Sequence, residues 1–63
     1  MSLAQMISEL LQAGLTQKDI AELVECSQPT IHRVAKGADP GWERGNRIQA
    51  LHRERVGEPA VAA

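Results

Sequence analysis

Sixty-three residues allow one domain, near the lower limit at which a chain folds without disulfides or metal, so stability should be modest unless copies associate. The hydrophobic share of 43% comes from Leu, Ile, Val, Ala and Met, with Trp42 the only aromatic residue; this suits an all-helical core and argues against a sandwich or barrel. The formal charge is −1, an awkward value for a nucleic-acid binder, but it is unevenly spread. Residues 1–30 set Lys18 against Glu9, Asp19, Glu22 and Glu25, for −3, whereas residues 31–63 set Arg33, Lys36, Arg44, Arg47, Arg53 and Arg55 against Asp39, Glu43, Glu54 and Glu58, for +2. No stretch is long and apolar enough to span a membrane, and the N-terminus lacks the charged and apolar regions of a signal peptide.

The first helix is expected from Leu3 to Ala13. Ser2 and Gln5 fit an S-x-x-Q capping box, and Leu3, Met6, Ile7, Leu10 and Leu11 form one stripe opposite Gln5, Ser8, Glu9 and Gln12. Gly14 is placed as the residue just past the helix end, with Leu15 folding back on Leu10. Leu15 also stands at the staple position of the next helix, opposite Ile20, so one side chain should fix two helix ends. Thr16 caps that second helix through the N–H of Asp19, and Asp19 reaches back in a capping box. Ile20, Ala21, Leu23 and Val24 form its inward face, with Lys18 and Glu22 outside.

Only Glu25, Cys26 and Ser27 separate the second helix from a third, so the chain must turn sharply there. The lone Cys26 excludes an internal disulfide and a multi-cysteine zinc site, and without a resolving partner it reads as a small buried apolar residue. The third helix is expected from Gln28 to Lys36, with Ser27 as N-cap, Pro29 in the first turn and Gly37 as a left-handed stop. At 100° per residue, Ile31, Val34 and Ala35 lie on one half of the cylinder, with the Thr30 methyl at the margin. Gln28, Pro29, His32, Arg33 and Lys36 lie on the other. That outer face carries one amide, one imidazole, two cations and no acid, a set able to meet base edges and phosphates together.

After the loop Ala38–Gly41, with Asp39 as a cap and Pro40 suited to a helix start, a fourth helix is expected from Gly41 or Trp42 to Arg55. Gly45, Ile48, Leu51 and His52 fall on one side of it, and Gly45 suits a close helix approach. Trp42 is expected to close the core edge beside the loop, a dimer contact being the alternative. His52 is expected at the core margin rather than on a metal, because no second ligand has the spacing. Arg44 and Arg47 are candidates for flanking phosphates or for solvated surface. Residues 1–56 thus form the domain, and 57–63, GEPAVAA, read as a disordered tail.

The run from Thr16 to Gly37 resembles the helix-turn-helix of Cro and repressor proteins of lambda-like phages and their bacterial relatives. The likeness rests on Thr16 followed by Gln17, small Ala21, apolar Val24, Ser27 before the recognition helix, Ile31 within it and Gly37 after it. With the flanking helices it covers residues 2 to 55. Glu25 departs from the pattern, since the family usually has Gly there; if the position needs φ > 0, Glu costs about 1 kcal/mol relative to Gly.

The resemblance implies a compact all-α domain of four helices, with five as the alternative, that reads an operator half-site in the major groove as a small transcriptional repressor. It places such a protein in the cytoplasm of a bacterial cell, at the nucleoid. Gln17 would bind a phosphate through its amide or the helix N-terminal N–H groups. Gln28 would enter the groove first and pair with adenine N6 and N7. Pro29 offers only apolar contact, such as to a thymine methyl. Arg33 would grip guanine or a phosphate, His32 and Lys36 the backbone, and Thr30 either or simply the core. A single module buries too little DNA for tight specific binding, so a homodimer on a pseudo-palindrome is expected, formed mainly on DNA.

Two other readings remain open at this level: the DNA-binding module of a recombinase, transposase or antitoxin, and a helical protein-interaction adaptor. Arg33 and Lys36 weigh against the adaptor, and the start at Met1 with a patternless tail favours a stand-alone protein. No cofactor or metal is expected. Neither histidine has a Ser, Cys or carboxylate at a spacing that suggests a nucleophile and base, so an enzyme is not expected either.

Overall fold

The computed structural model describes residues 2–57, and these form a four-helix, all-α domain: α1 (Leu3–Gln12), α2 (Gln17–Val24), α3 (Gln28–Ala35) and α4 (Trp42–Arg55). The expectation of a disordered tail falls, for residues 58–63, outside the described residues.

Local hydrogen bonds set the first three helices. Ser2 Oγ accepts from the Gln5 N–H at 3.1 Å, although the Gln5 side chain makes no return bond among the described residues. α1 stops at Gln12, one residue earlier than expected, with Ala13 as its C-cap. The Leu15 N–H then donates to Leu10 O at 3.2 Å and the Gly14 N–H to Leu11 O at 3.1 Å, the paired bonds that close a left-handed helix end. At α2 both halves of the capping box form, Asp19 N–H to Thr16 Oγ1 and Thr16 N–H to Asp19 Oδ2, each 3.0 Å.

The turn after α2 requires a left-handed residue, and Glu25 supplies it at φ 68°, ψ 48°. That conformation lets the Cys26 N–H reach Ala21 O at 2.9 Å. Ser27 Oγ then caps α3, accepting from the Thr30 N–H at 3.3 Å. α3 ends at Ala35 rather than Lys36, which serves as C-cap, and Gly37 at φ 109° turns the chain out. α4 starts differently from the expectation: its N-cap is Gly41 and no side chain caps it. Asp39 instead closes the preceding turn, its Oδ1 accepting from the Gly41 N–H at 2.9 Å.

Ile7 and Leu10 of α1, Ile20, Ala21 and Val24 of α2, Ile31 and Val34 of α3, and Ile48 and Leu51 of α4 make one core, edged by Leu3, Met6, Leu11, Leu15, Cys26 and Ala35. α1 lies against α3 and α4, and α2 against the same two, so α3 is held from two directions. Burying a Val, Leu or Ile side chain contributes about 1.5–3 kcal/mol, and this dispersed apolar set is what fixes so short a chain.

Two long-range contacts lock α4 in place. His52 is buried and its Nε2 lies 2.6 Å from Glu9 Oε1 on α1. Arg47 clasps the end of α2: Nη1 donates to Val24 O at 3.3 Å and pairs with Glu25 Oε1 at 2.9 Å, while Nη2 lies 3.7 Å from Glu43 Oε2. Two apolar expectations fail. Leu23, expected inside, is 49% exposed, and Trp42, expected at the core edge, is 83% exposed. α2 turns only three side chains fully into the core, and Trp42, the first residue of α4, borders an open recess with Leu3 and Gly45 instead of entering the core.

Candidate nucleic-acid interface

The candidate site is the outer face of α3 and the start of α2 beside it. Ile31 and Val34, 0% and 1% exposed, pin α3 by its inner side. The residues between and before them are thereby forced outward. Gln28, Pro29, His32 and Arg33 are exposed and Gln17 is half-buried at the first turn of α2. These five together line one open recess of about 440 Å³. They include no carboxylate, and no residue beyond these five, all expected from the sequence, contributes to its wall.

Thr30 and Lys36 stand apart from the recess. Thr30 is half-buried, with its hydroxyl 2.8 Å from Ser27 Oγ, so the side chain is committed to the start of its own helix. Lys36 is exposed at the far end of α3. Among the described residues neither Arg33 nor Lys36 is ion-paired, so both charges face solvent and are available to an anion. Arg47, a candidate for a flanking phosphate or solvated surface, has its guanidinium engaged by Val24, Glu25 and Glu43. Arg44 remains exposed and lies close enough to the turn for its charge to act on Cys26. Burial pushes the Cys26 thiol up from its usual range, and Arg44 partly offsets that rise.

Among the described residues no three His, Cys, Asp or Glu side chains cluster as metal ligands would, and no helix is long and apolar enough to cross a membrane. What the α3 face and the adjoining start of α2 offer is hydrogen-bond donors and acceptors on Gln17 and Gln28, a donor fork on Arg33, an imidazole on His32 and the apolar ring of Pro29. Comparisons with models of protein families, with characterised proteins and with solved structures gave no significant match.

Proposed function

We propose that this protein binds double-stranded DNA by laying α3 in the major groove, and acts as a small Cro-like transcriptional repressor in the cytoplasm of a bacterial cell, at the nucleoid. The observation that carries the reading is the gathering of Gln17, Gln28, Pro29, His32 and Arg33 on one acid-free exposed surface. Most of that surface belongs to α3, whose other side is anchored in the core by the buried Ile31 and Val34. A rigidly held helix with a polar outer face is what a major groove admits, and base reading demands side chains fixed to a fraction of an ångström.

On this reading Gln28 pairs with an adenine edge and Arg33 with guanine or a phosphate. Gln17, His32 and Lys36 hold the sugar-phosphate backbone and set the register. The hydroxyl of Thr30, held by Ser27, orders the start of the helix rather than reading a base. The repressor role comes from the resemblance of Thr16–Gly37 to the Cro and repressor family; a recombinase or antitoxin module would use the same face. Two copies on a pseudo-palindrome, one helical turn apart, supply the DNA contact area that one chain lacks.

Selection of bound sites from random duplexes at low ionic strength tests the proposal, with enrichment of symmetric half-sites expected. Gln28→Ala is then expected to relax preference at one base pair at a cost of about 1–3 kcal/mol, while Lys36→Ala weakens selected and random DNA alike. Absence of any duplex association, or equal losses on both DNAs for Gln28→Ala, refutes it. Sedimentation with and without the selected duplex reads the stoichiometry, expected at two chains per site.

A further inference from the structure

We infer that Arg47 is a positioning residue for Gln28: reaching across from α4, it fixes the turn from which α3 starts, and so sets sequence preference without touching DNA. The inference rests on the DNA-binding reading and adds to it the residue that keeps the base-reading side chain in register.

Only Glu25, Cys26 and Ser27 separate the last residue of α2 from the first of α3. The change of direction is made at Glu25, held at φ 68°, where an ordinary side chain is less stable than in right-handed or extended backbone. Rotation at that one residue swings whatever follows it. α3 is anchored in the core at Ile31 and Val34, so the swing is confined to the residues before Ile31. Gln28 is the first residue of the helix, three positions ahead of that anchor. Arg33 lies between the two anchors and keeps its place whatever the turn does.

Arg47 is placed to hold the bend. Its Nη1 donates to Val24 O at 3.3 Å and pairs with Glu25 Oε1 at 2.9 Å, and its Nη2 lies 3.7 Å from Glu43 Oε2. The Val24 carbonyl belongs to the last turn of α2, where the helix itself supplies no N–H partner. Glu25 is the left-handed residue. One guanidinium therefore grips the backbone just before the bend and the side chain at the bend, which its rigid donor fork allows and a single ammonium group matches poorly. Arg47 is itself fixed, because the next residue, Ile48, is fully buried in the core. α4 lends no residue to the recess on α3, yet through this contact it bears on where Gln28 stands.

The experiment uses the full chain, its selected duplex and a random duplex. The base pair that Gln28 reads is first located as the one at which Gln28→Ala relaxes preference. Arg47→Met, checked for folding by circular dichroism, is expected to lower discrimination at that same base pair by up to about fivefold per half-site, the ceiling for an exposed pair. Preference at other positions, affinity for the random duplex and the salt dependence should not change. Glu25→Gln, which keeps the side-chain length and removes the charge, should act at the same base pair by a smaller factor, and it carries the test if Arg47→Met does not fold. Combining Arg47→Met with Gln28→Ala should cost no more discrimination than Gln28→Ala alone, since the two act through one contact. Equal losses on both duplexes with a shallower salt dependence would make Arg47 a phosphate contact, overturning the inference while leaving the DNA-binding reading intact. So would unchanged preference at the Gln28 base pair, a relaxation spread over every position, or additive losses in the double variant. Failure to select any duplex removes the parent reading, and the inference with it.

Discussion

Replacing Glu25 separates two effects that oppose each other at the turn between α2 and α3. Glu25 is the one non-glycine residue with positive φ among the described residues, at 68°. The left-handed region costs an ordinary side chain about 1 kcal/mol relative to glycine. Its carboxylate, however, lies 2.9 Å from Arg47 Nη1. The two side chains are 72% and 41% exposed, and exposed pairs of this kind contribute about 0.2–1 kcal/mol, weakened by salt. Glu25→Ala removes the pair and keeps the backbone cost, so it is expected to destabilise by that smaller amount. Glu25→Gly removes both, and its net change should lie between about zero and 0.8 kcal/mol in favour of the variant.

The comparison that matters is therefore alanine against glycine. Urea or thermal unfolding followed at 222 nm should place Glu25→Gly about 1 kcal/mol above Glu25→Ala. In a domain of this size that is a rise of about 4–8 °C in Tm. Adding 1 M NaCl should shrink the difference between wild type and Glu25→Ala while leaving the alanine-to-glycine gap unchanged. A glycine variant no more stable than the alanine variant refutes the assignment of strain to this turn.

Gly45 faces α1, and a Cβ built there would meet Leu3 Cδ1 at 3.4 Å, an ordinary contact; Gly45→Ala is therefore expected to stabilise by about 0.5–1 kcal/mol through helix propensity, and a loss of stability would mean that the α1–α4 crossing has no room. Glu9→Ala leaves the buried His52 without its partner and should destabilise by about 1–3 kcal/mol, whereas Glu9→Gln keeps an acceptor for Nε2 and should lose less; equal losses in urea melts would argue against the hydrogen bond. Burial holds the Cys26 thiol protonated above its usual range, so iodoacetamide should modify it more slowly in the native protein than in urea at the same pH. Because the folded state keeps that proton longer than the unfolded one, stability should also decline as pH rises beyond about 8.5, the ordinary thiol range. Cys26→Ser should remove that decline, and a native thiol that reacts faster than the unfolded one would contradict the burial.

The parts of the fold that could be read from the sequence are those decided within one helical turn. Ser2, Thr16 with Asp19, and Ser27 announce three helix starts because each cap bond spans three residues. The spacing of Ile7 and Leu10, or of Ile31 and Val34, gives the inward faces for the same reason. The outer face of α3 followed directly, since whatever does not point inward on a packed helix must point out. Contacts between residues distant in the chain were not legible. Nothing in the sequence joins Glu9 to His52, 43 residues away, or Arg47 to Val24, 23 residues away. Leu23 and Trp42 misled because apolarity favours burial without specifying it: three side chains of α2 already fill its share of the core, and Leu23 lies at an open recess beside Ala50 and Leu51 of α4. Asp39 had the chemistry of a cap, but Gly41 intervened in the geometry.

The long-range contacts also bear on how a chain of charge −1 can meet a polyanion. Glu25 and Glu43 are both drawn to Arg47 and Glu9 to His52, while the carboxylates of Asp19 and Asp39 accept backbone N–H groups. Glu25 and Glu43 thus share a cation away from the recess, and a paired charge is felt over a shorter distance than a free one. Arg33 and Lys36 have no such partner among the described residues, so the α3 face is positive although the molecule is not. Two positive side chains per subunit release few counterions, and the expected consequence is a shallow dependence of binding on salt. Affinity that fell as steeply with salt as that of a strongly basic domain would require cations outside α3, and Arg44, exposed beside the turn, is the first to mutate.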